Sequence, residues 1–300
     1  MSLHTASMQR LLMDASIYTV PKVDCHCHVL DPQGFAYAPD VSYRPAGQEA
    51  GSANDFEHVL DAYGVQHALL VGPNSGYGLD NRCLLSAIAN SQGRFKGIAV
   101  VPNDASTAYL QELQLQGIVG IAFNFALHGL DAYRSAEPLF KRLADLGLFV
   151  QIQVELAQLT TLAPALLGSG AHLLIDHCGR PNLANGHTKD GWAALLQLAH
   201  SRRATVKLSG FAKFSAQSFP FSDTHAFTAA LLDAFGADHC VWASDWPFLK
   251  ASKRLDYGPL LQLFAQMVPH AEDREKILWR NPLRLFGFAP ANTASLSPGF

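Results

Sequence analysis

Between Lys22 and Pro247 the chain alternates eight times between a short apolar run and a longer stretch whose apolar residues recur at i, i+3 and i+4. The short runs are enriched in β-branched residues and mostly end in polar residues, glycine or proline, a pattern that predicts strands. They read KVDCHCHV, QHALLVGP, KGIAVVP, IVGIAFNF, LFVQIQV, HLLIDHCG, TVKLSG and CVWASDWP. The stretches between them, such as DFEHVLDAYGV, DNRCLLSAIANSQG, SAEPLFKRLADLG and THAFTAALLDAFG, predict helices. Several open on Asp, Ser or Thr and stop at Gly, as capped helices do.

Regular strand–helix alternation on this scale predicts an α/β fold, a single-domain (β/α)8 TIM barrel. No GxGxxG follows the first strand, which removes the usual support for a doubly wound nucleotide-binding sheet. The barrel is expected over residues 21–288, after an N-terminal extension at 1–20 and before a C-terminal tail at 289–300. Residues 31–54, rich in Pro, Gly and Ala, form a long loop expected to lie over the active site at the end of the first strand.

Composition narrows the partners. With 49% hydrophobic residues in 300, the chain can form one large core, and a formal net charge of -3 with scattered basic residues gives no footprint for nucleic acid or an anionic membrane. A small molecule is the expected partner. The 5 cysteines are odd in number and form no CxxC pair, which argues against a disulfide framework and a structural zinc knuckle and fits a reducing cytoplasm. The N-terminal stretch MSLHTASMQRLLMDASIYTV does not read as a signal peptide, and no apolar run approaches the roughly 20 residues of a membrane span.

Chemistry gathers where strands end. In the first run, alternation places His26 and His28 on one face, with Cys25 and Cys27 on the other. Such a pair serves equally as metal ligands or as histidines hydrogen-bonded within a core. The sixth run brings His177 and the eighth Asp245, each near a proline or glycine and so near a strand end. In a barrel these ends converge at one face, where active sites lie.

This ordered set, HxH on strand one, DHCGRP on strand six and SDWP on strand eight, resembles the amidohydrolase superfamily, and within it the branch of 2-pyrone-4,6-dicarboxylate lactonase and related sugar lactonases. The resemblance runs from Lys22 to Phe288 and takes in Tyr43, Ser75, Asp80 and Asn81, the GIAFNF run and KLSG. It implies hydrolysis at a carbonyl or phosphoryl centre, commonly with one or two divalent metals. Metal-bearing relatives often have lysine or glutamate on strand four and histidine on strand five, whereas this chain has GIAFNF and LFVQIQVE, with Gln151 and Gln153 as poor replacements. A binuclear centre is therefore not expected.

Two mechanisms stay open. The lactonase resembled works without metal, which implies that His26, His28 and His177 donate hydrogen bonds to the lactone carbonyl while Asp245 takes a proton from water. The expectation is thus a lactone hydrolase without a cofactor. The alternative is a single zinc on His26, His28 and Asp245 in a decarboxylase or hydratase.

Substrate contacts are expected from Tyr43, Ser75, Asn124, His128, Arg180 and Lys213, with Lys250 as a further cation. The chain departs from the lactonase pattern at Ala122, where arginine is expected, and at Lys213, which replaces another arginine. This favours a lactone with a carboxylate or hydroxyls, less charged than a dicarboxylate. Asp24 and Asp176 are read as partners that hold strands or orient histidines. Cys25, Cys27 and Cys240 are read as small hydrophobes between sheet and helices.

Overall fold

A computed structural model describes residues 15–183 and 189–290. Most of the expected extension and tail, residues 1–14 and 291–300, lies outside the described residues. Eight parallel strands follow one another around a single sheet: β1 (Val23–Cys27), β2 (His67–Val71), β3 (Phe95–Ala99), β4 (Ile118–Asn124), β5 (Phe149–Gln153), β6 (Leu173–Ile175), β7 (Ala204–Leu208) and β8 (Cys240–Trp242). Backbone hydrogen bonds from Asp245 N to His26 O (2.9 Å) and from His28 N to Trp246 O (2.8 Å) bring the end of β8 back to β1. The fold is a single-domain (β/α)8 barrel, and the seam that closes it carries three of the residues singled out in the sequence.

One principal helix follows each strand: α1 (Ala53–Ala62), α2 (Arg82–Asn90), α3 (Thr107–Leu115), α4 (Glu137–Asp145), α5 (Leu159–Ser169), α6 (Lys189–His200), α7 (His225–Phe235) and α8 (Tyr257–Met267). Local chemistry sets their starts. Ser52 and Asp55 form a reciprocal capping box on α1, so the long loop ends at Ser52, slightly before the expected boundary. Ser106 caps α3, and Pro138 lies in the first turn of α4. Among the described residues, no helix is long and apolar enough to cross a membrane.

The core has two layers. Val23, Cys25, Leu69, Val71, Ile98, Phe149, Leu174, Val241 and Ala243 pack inside the barrel, with Phe286 and Phe288 from the C-terminal segment against them. Cys27, Leu70, Ile121, Ile152, Val206 and Trp242 pack outward with the helices. Cys25 therefore faces the barrel interior, not the helix layer. The cause is an irregularity in the β1–β2 register between Asp24 and Cys27, which breaks the simple alternation just where His26 turns inward.

Candidate active site

A cavity of about 410 Å³ sits at the C-terminal ends of the strands. Its lining includes His26, His28, Ser75, Asn124, His177, Arg180, Lys213, Asp245 and Lys250, so the topology brings together residues contributed by β1, β2, β4, β6, β7 and β8. Of the residues expected at the site, Tyr43 and His128 do not line it. The Tyr43 hydroxyl bonds Glu49 instead, and Lys250 Nζ lies 4.6 Å from the centre of its ring, which places Tyr43 at the rim. His128 is the exposed last residue of a short turn, with its ring 6.2 Å from that of Tyr133. Nor does the loop before α1 line the cavity. It is tied to the β2 loop by Gly76 N to Tyr43 O (2.9 Å) and to the β8 loop by Lys250 N to Glu49 Oε1 (2.5 Å).

Three imidazoles converge on one oxygen. Asp245 Oδ1 lies 3.8 Å from His26 Nε2, 3.8 Å from His28 Nε2 and 3.6 Å from His177 Nε2. These distances are too long for direct hydrogen bonds, so the four groups can share a small oxygen ligand set to one side. Positive backbone φ angles at His177 (50°), Arg180 (46°), Asp245 (64°) and Lys250 (58°) aim these side chains from the loops. Left-handed geometry in such residues costs about 1–3 kcal/mol each and tends to cluster at functional sites.

The far side of each imidazole has a distinct partner. His28 Nδ1 meets the Val71 carbonyl at 2.8 Å; a carbonyl only accepts, so Nδ1 carries the proton and Nε2 of the neutral ring presents a lone pair. His177 Nδ1 meets Ser209 Oγ at 3.1 Å. His26 Nδ1 faces both Asp176 Oδ1, at 3.2 Å, and Lys207 Nζ, at 3.1 Å. The expectation that all three histidines donate alike is therefore not met at His28, because its orientation is set by a backbone oxygen from the neighbouring strand.

Burial depresses all three histidines, His26 and His177 well below the ordinary imidazole value. They are neutral at neutral pH. Asp245 behaves differently. Its burial, the largest single influence, works toward a higher pKa, but the Lys213 ammonium, 2.8 Å from Oδ2, acting together with His177 and His28, more than offsets it and holds the carboxyl below its usual range. The site thus pairs an ionised carboxylate with neutral imidazoles.

Beneath His26 lies a polar group that sequence reading missed as a unit. Lys207, on β7, is fully buried and contacts Gln151 Oε1 at 2.6 Å and Asp176 Oδ1 at 3.1 Å, while Gln151 Nε2 donates to Asp176 Oδ2 at 3.0 Å. The available signal was a lysine inside TVKLSG and a glutamine inside LFVQIQV, polar side chains on inward-facing strand positions. Asp24, by contrast, is structural: it accepts from Ser244 N at 3.0 Å and Tyr257 Oη at 2.9 Å, bracing the closing seam. Tyr77 and Asn81 are also structural; Asn81 bridges the β2 loop to both backbone groups of Val100.

His26, His28 and Asp245 also offer donor atoms within 4.8 Å of one another, the spacing of a possible three-ligand metal site. Comparison with known proteins places this geometry in context. The chain is 28% identical, over 88% of its length and 89% of the relative's, to a 2-pyrone-4,6-dicarboxylate hydrolase of Comamonas testosteroni. It is 30% identical, over 90% and 92%, to a 4-sulfomuconolactone hydrolase of Rhizobium radiobacter. Among solved structures, a protein of Acinetobacter baumannii described as a probable 2-pyrone-4,6-dicarboxylic acid hydrolase, with citric acid bound, superposes with a TM-score of 0.80 at 27% identity, over 89% of this chain and 99% of that one. The family model described as amidohydrolase matches residues 23–288, and with the barrel, the paired histidines of β1 and the aspartate after β8 it establishes that this chain belongs to the amidohydrolase family.

Proposed function

We propose that the protein hydrolyses the ring ester of a lactone bearing a carboxylate, and does so without a metal ion. The observation that carries this reading is Asp245, held ionised by Lys213 and surrounded by three neutral imidazoles in one cavity. The relatives are named for hydrolysis of 2-pyrone-4,6-dicarboxylate and 4-sulfomuconolactone, both cyclic esters with anionic substituents.

In the reaction, water sits between two acceptors, Asp245 Oδ1 and His28 Nε2. Asp245 takes its proton as the water oxygen bonds to the acyl carbon. Negative charge develops on the former carbonyl oxygen, where His26 and His177 supply N–H donors. The intermediate collapses by breaking the ring C–O bond, and the departing oxygen takes the proton from Asp245. Products are an alcohol or enol and a carboxylic acid, which loses its remaining proton to solvent at neutral pH. A lactone needs no further activation, because its leaving group is an oxygen and its acyl carbon is already electrophilic.

Recognition of a carboxylate falls to Arg180. Its side chain lines the cavity, and its Nη2 pairs with Glu155 at 2.7 Å. A guanidinium at the wall of a partly enclosed cavity can pair with a carboxylate there. Ser75, Asn124 and Lys250 add polar contacts, and Ala122 leaves one wall of the cavity uncharged. That balance supports one carboxylate rather than two.

The residues fit a single zinc poorly. Asp245 is already engaged by Lys213, Lys207 lies 3.1 Å from His26, and the β5 side chains lining the cavity are Gln151 and Gln153. Two ammonium groups in contact with the would-be ligands oppose a dication. The test is turnover of a lactone panel (2-pyrone-4,6-dicarboxylate, 4-sulfomuconolactone and neutral sugar lactones) by purified protein with and without chelator. Ring opening unaffected by chelator is expected, and Asp245→Asn should lower kcat by about 10²- to 10⁴-fold. Loss on chelation with recovery on adding zinc would overturn the metal-free reading; no ring opening with any lactone would overturn the reaction itself.

A further inference from the structure

Lys207 plays no part in the chemistry above, yet it is fully buried and directly beneath a site histidine. Its ammonium has three N–H donors. It has three acceptor positions around it: Gln151 Oε1 at 2.6 Å, Asp176 Oδ1 at 3.1 Å and His26 Nδ1 at 3.1 Å. The network closes when His26 Nδ1 carries no proton. Gln151 Nε2 then satisfies the other Asp176 oxygen at 3.0 Å, and every polar group in the cluster has a partner.

The opposite tautomer breaks this arrangement. A proton on His26 Nδ1 could point to Asp176 Oδ1 at 3.2 Å, but it would share that oxygen with Lys207 and leave one ammonium N–H directed at an N–H. Buried donors without acceptors are unfavourable. We infer that Lys207 is a positioning residue that fixes neutral His26 with its proton on Nε2, so that His26 presents a donor to the cavity and withholds the lone pair a metal would need. His28 has the reverse arrangement, because Val71 O requires a proton on its Nδ1. The two histidines of the HxH pair thus enter the cavity with opposite polarity, one as donor and one as acceptor. The role of His26 at the carbonyl rests on the lactonase reading; its tautomer does not.

The wild-type protein can be tested directly. Histidine-labelled ¹⁵N protein gives two-bond ¹H–¹⁵N correlations that separate the tautomers, with His26 and His28 signals assigned by their loss in His26→Gln and His28→Gln. The expected result is an Nε2–H ring for His26 and an Nδ1–H ring for His28; an Nδ1–H ring at His26 overturns the inference. A second arm uses Lys207→Met with Asp176→Asn, which removes the buried ion pair as a unit and lets Gln151 turn its amide toward Asn. This protein should bind Co(II) more tightly than wild type, read from the visible absorption in a titration. Equal Co(II) binding by both overturns the proposal. If His26 is Nε2–H but no lactone is opened, the reaction assignment falls and the tautomer assignment stands.

Discussion

Lys213 Nζ lies 2.8 Å from Asp245 Oδ2, and this contact is the strongest of those that keep the carboxyl facing the cavity ionised. Burial favours the neutral acid, and the ammonium, with smaller contributions from His177 and His28, favours the carboxylate strongly enough to reverse it. Lys213→Met removes the strongest opponent of burial, so the acid limb of the kcat/KM profile should move to higher pH, with the greatest loss of rate in mildly acidic buffer. Lys213→Arg should return most of the shift, because it restores the charge. An acid limb that stays in place in the methionine variant would mean that Lys213 does not control the base.

Arg180 offers a different kind of test, since it acts through the substrate rather than the base. Its guanidinium at the cavity wall predicts a charge-assisted bond to the ligand's carboxylate, worth about 1.5–3 kcal/mol. Arg180→Gln should therefore raise KM for carboxylated lactones by about 10- to 100-fold, with little change for uncharged ones. Equal effects on both substrate classes would reduce Arg180 to a loop clamp through Glu155.

Much of this was legible in the chain because a parallel barrel writes itself as repeated short runs and capped helices, and all eight runs became strands. His26, His177 and Asp245 could be placed near strand ends by the prolines and glycines that follow them. What the pattern could not carry was anything decided across strands. Lys207 finds its partners on β1 and β5 and just beyond β6, more than thirty positions distant in every case, and the His28 tautomer is set by one carbonyl of β2. Nor could alternation reveal the irregularity in β1 that turns Cys25 inward. Tyr43 and His128 missed the cavity because periodicity says nothing about the path of a loop.

The buried imidazoles make folding stability depend on pH in a definite direction. In the unfolded chain, histidines titrate near 6.5, whereas in the folded protein burial lowers His26, His28 and His177 below that value. Below 6.5 the unfolded chain therefore binds protons that the folded chain does not, so a contribution complete above about 6.5 is lost as pH falls. Asp24 works the other way: burial raises its carboxyl from 3.8 to about 6, which adds stability as pH falls through that interval. Three imidazoles against one carboxylate leave a net loss, so the urea midpoint should decrease between about pH 7 and pH 5. A flat or rising midpoint would show that the rings are protonated in the folded state.

Gly210 ties the position of His177 to that of Lys213. It follows β7 in the left-handed region (φ 65°), its carbonyl accepts from Lys213 N at 2.8 Å, and a Cβ placed there would lie 2.5 Å from both Cγ and Nδ1 of His177. No side chain fits without moving the ring, and the KLSG run ends in glycine for that reason. Gly210→Ala combines two effects: a backbone penalty of about 1–2 kcal/mol and displacement of an imidazole from the group around Asp245. A misplacement of that order in a catalytic constellation can cost about 10²-fold in rate. Gly93→Ala separates the two effects, because Gly93 also has a positive φ (84°) but a Cβ added there would meet nothing within 4 Å. Both variants should lose stability on thermal denaturation, while kcat should fall only in Gly210→Ala. If the two lose activity equally, or neither does, the contact between Gly210 and His177 does not position the ring for catalysis.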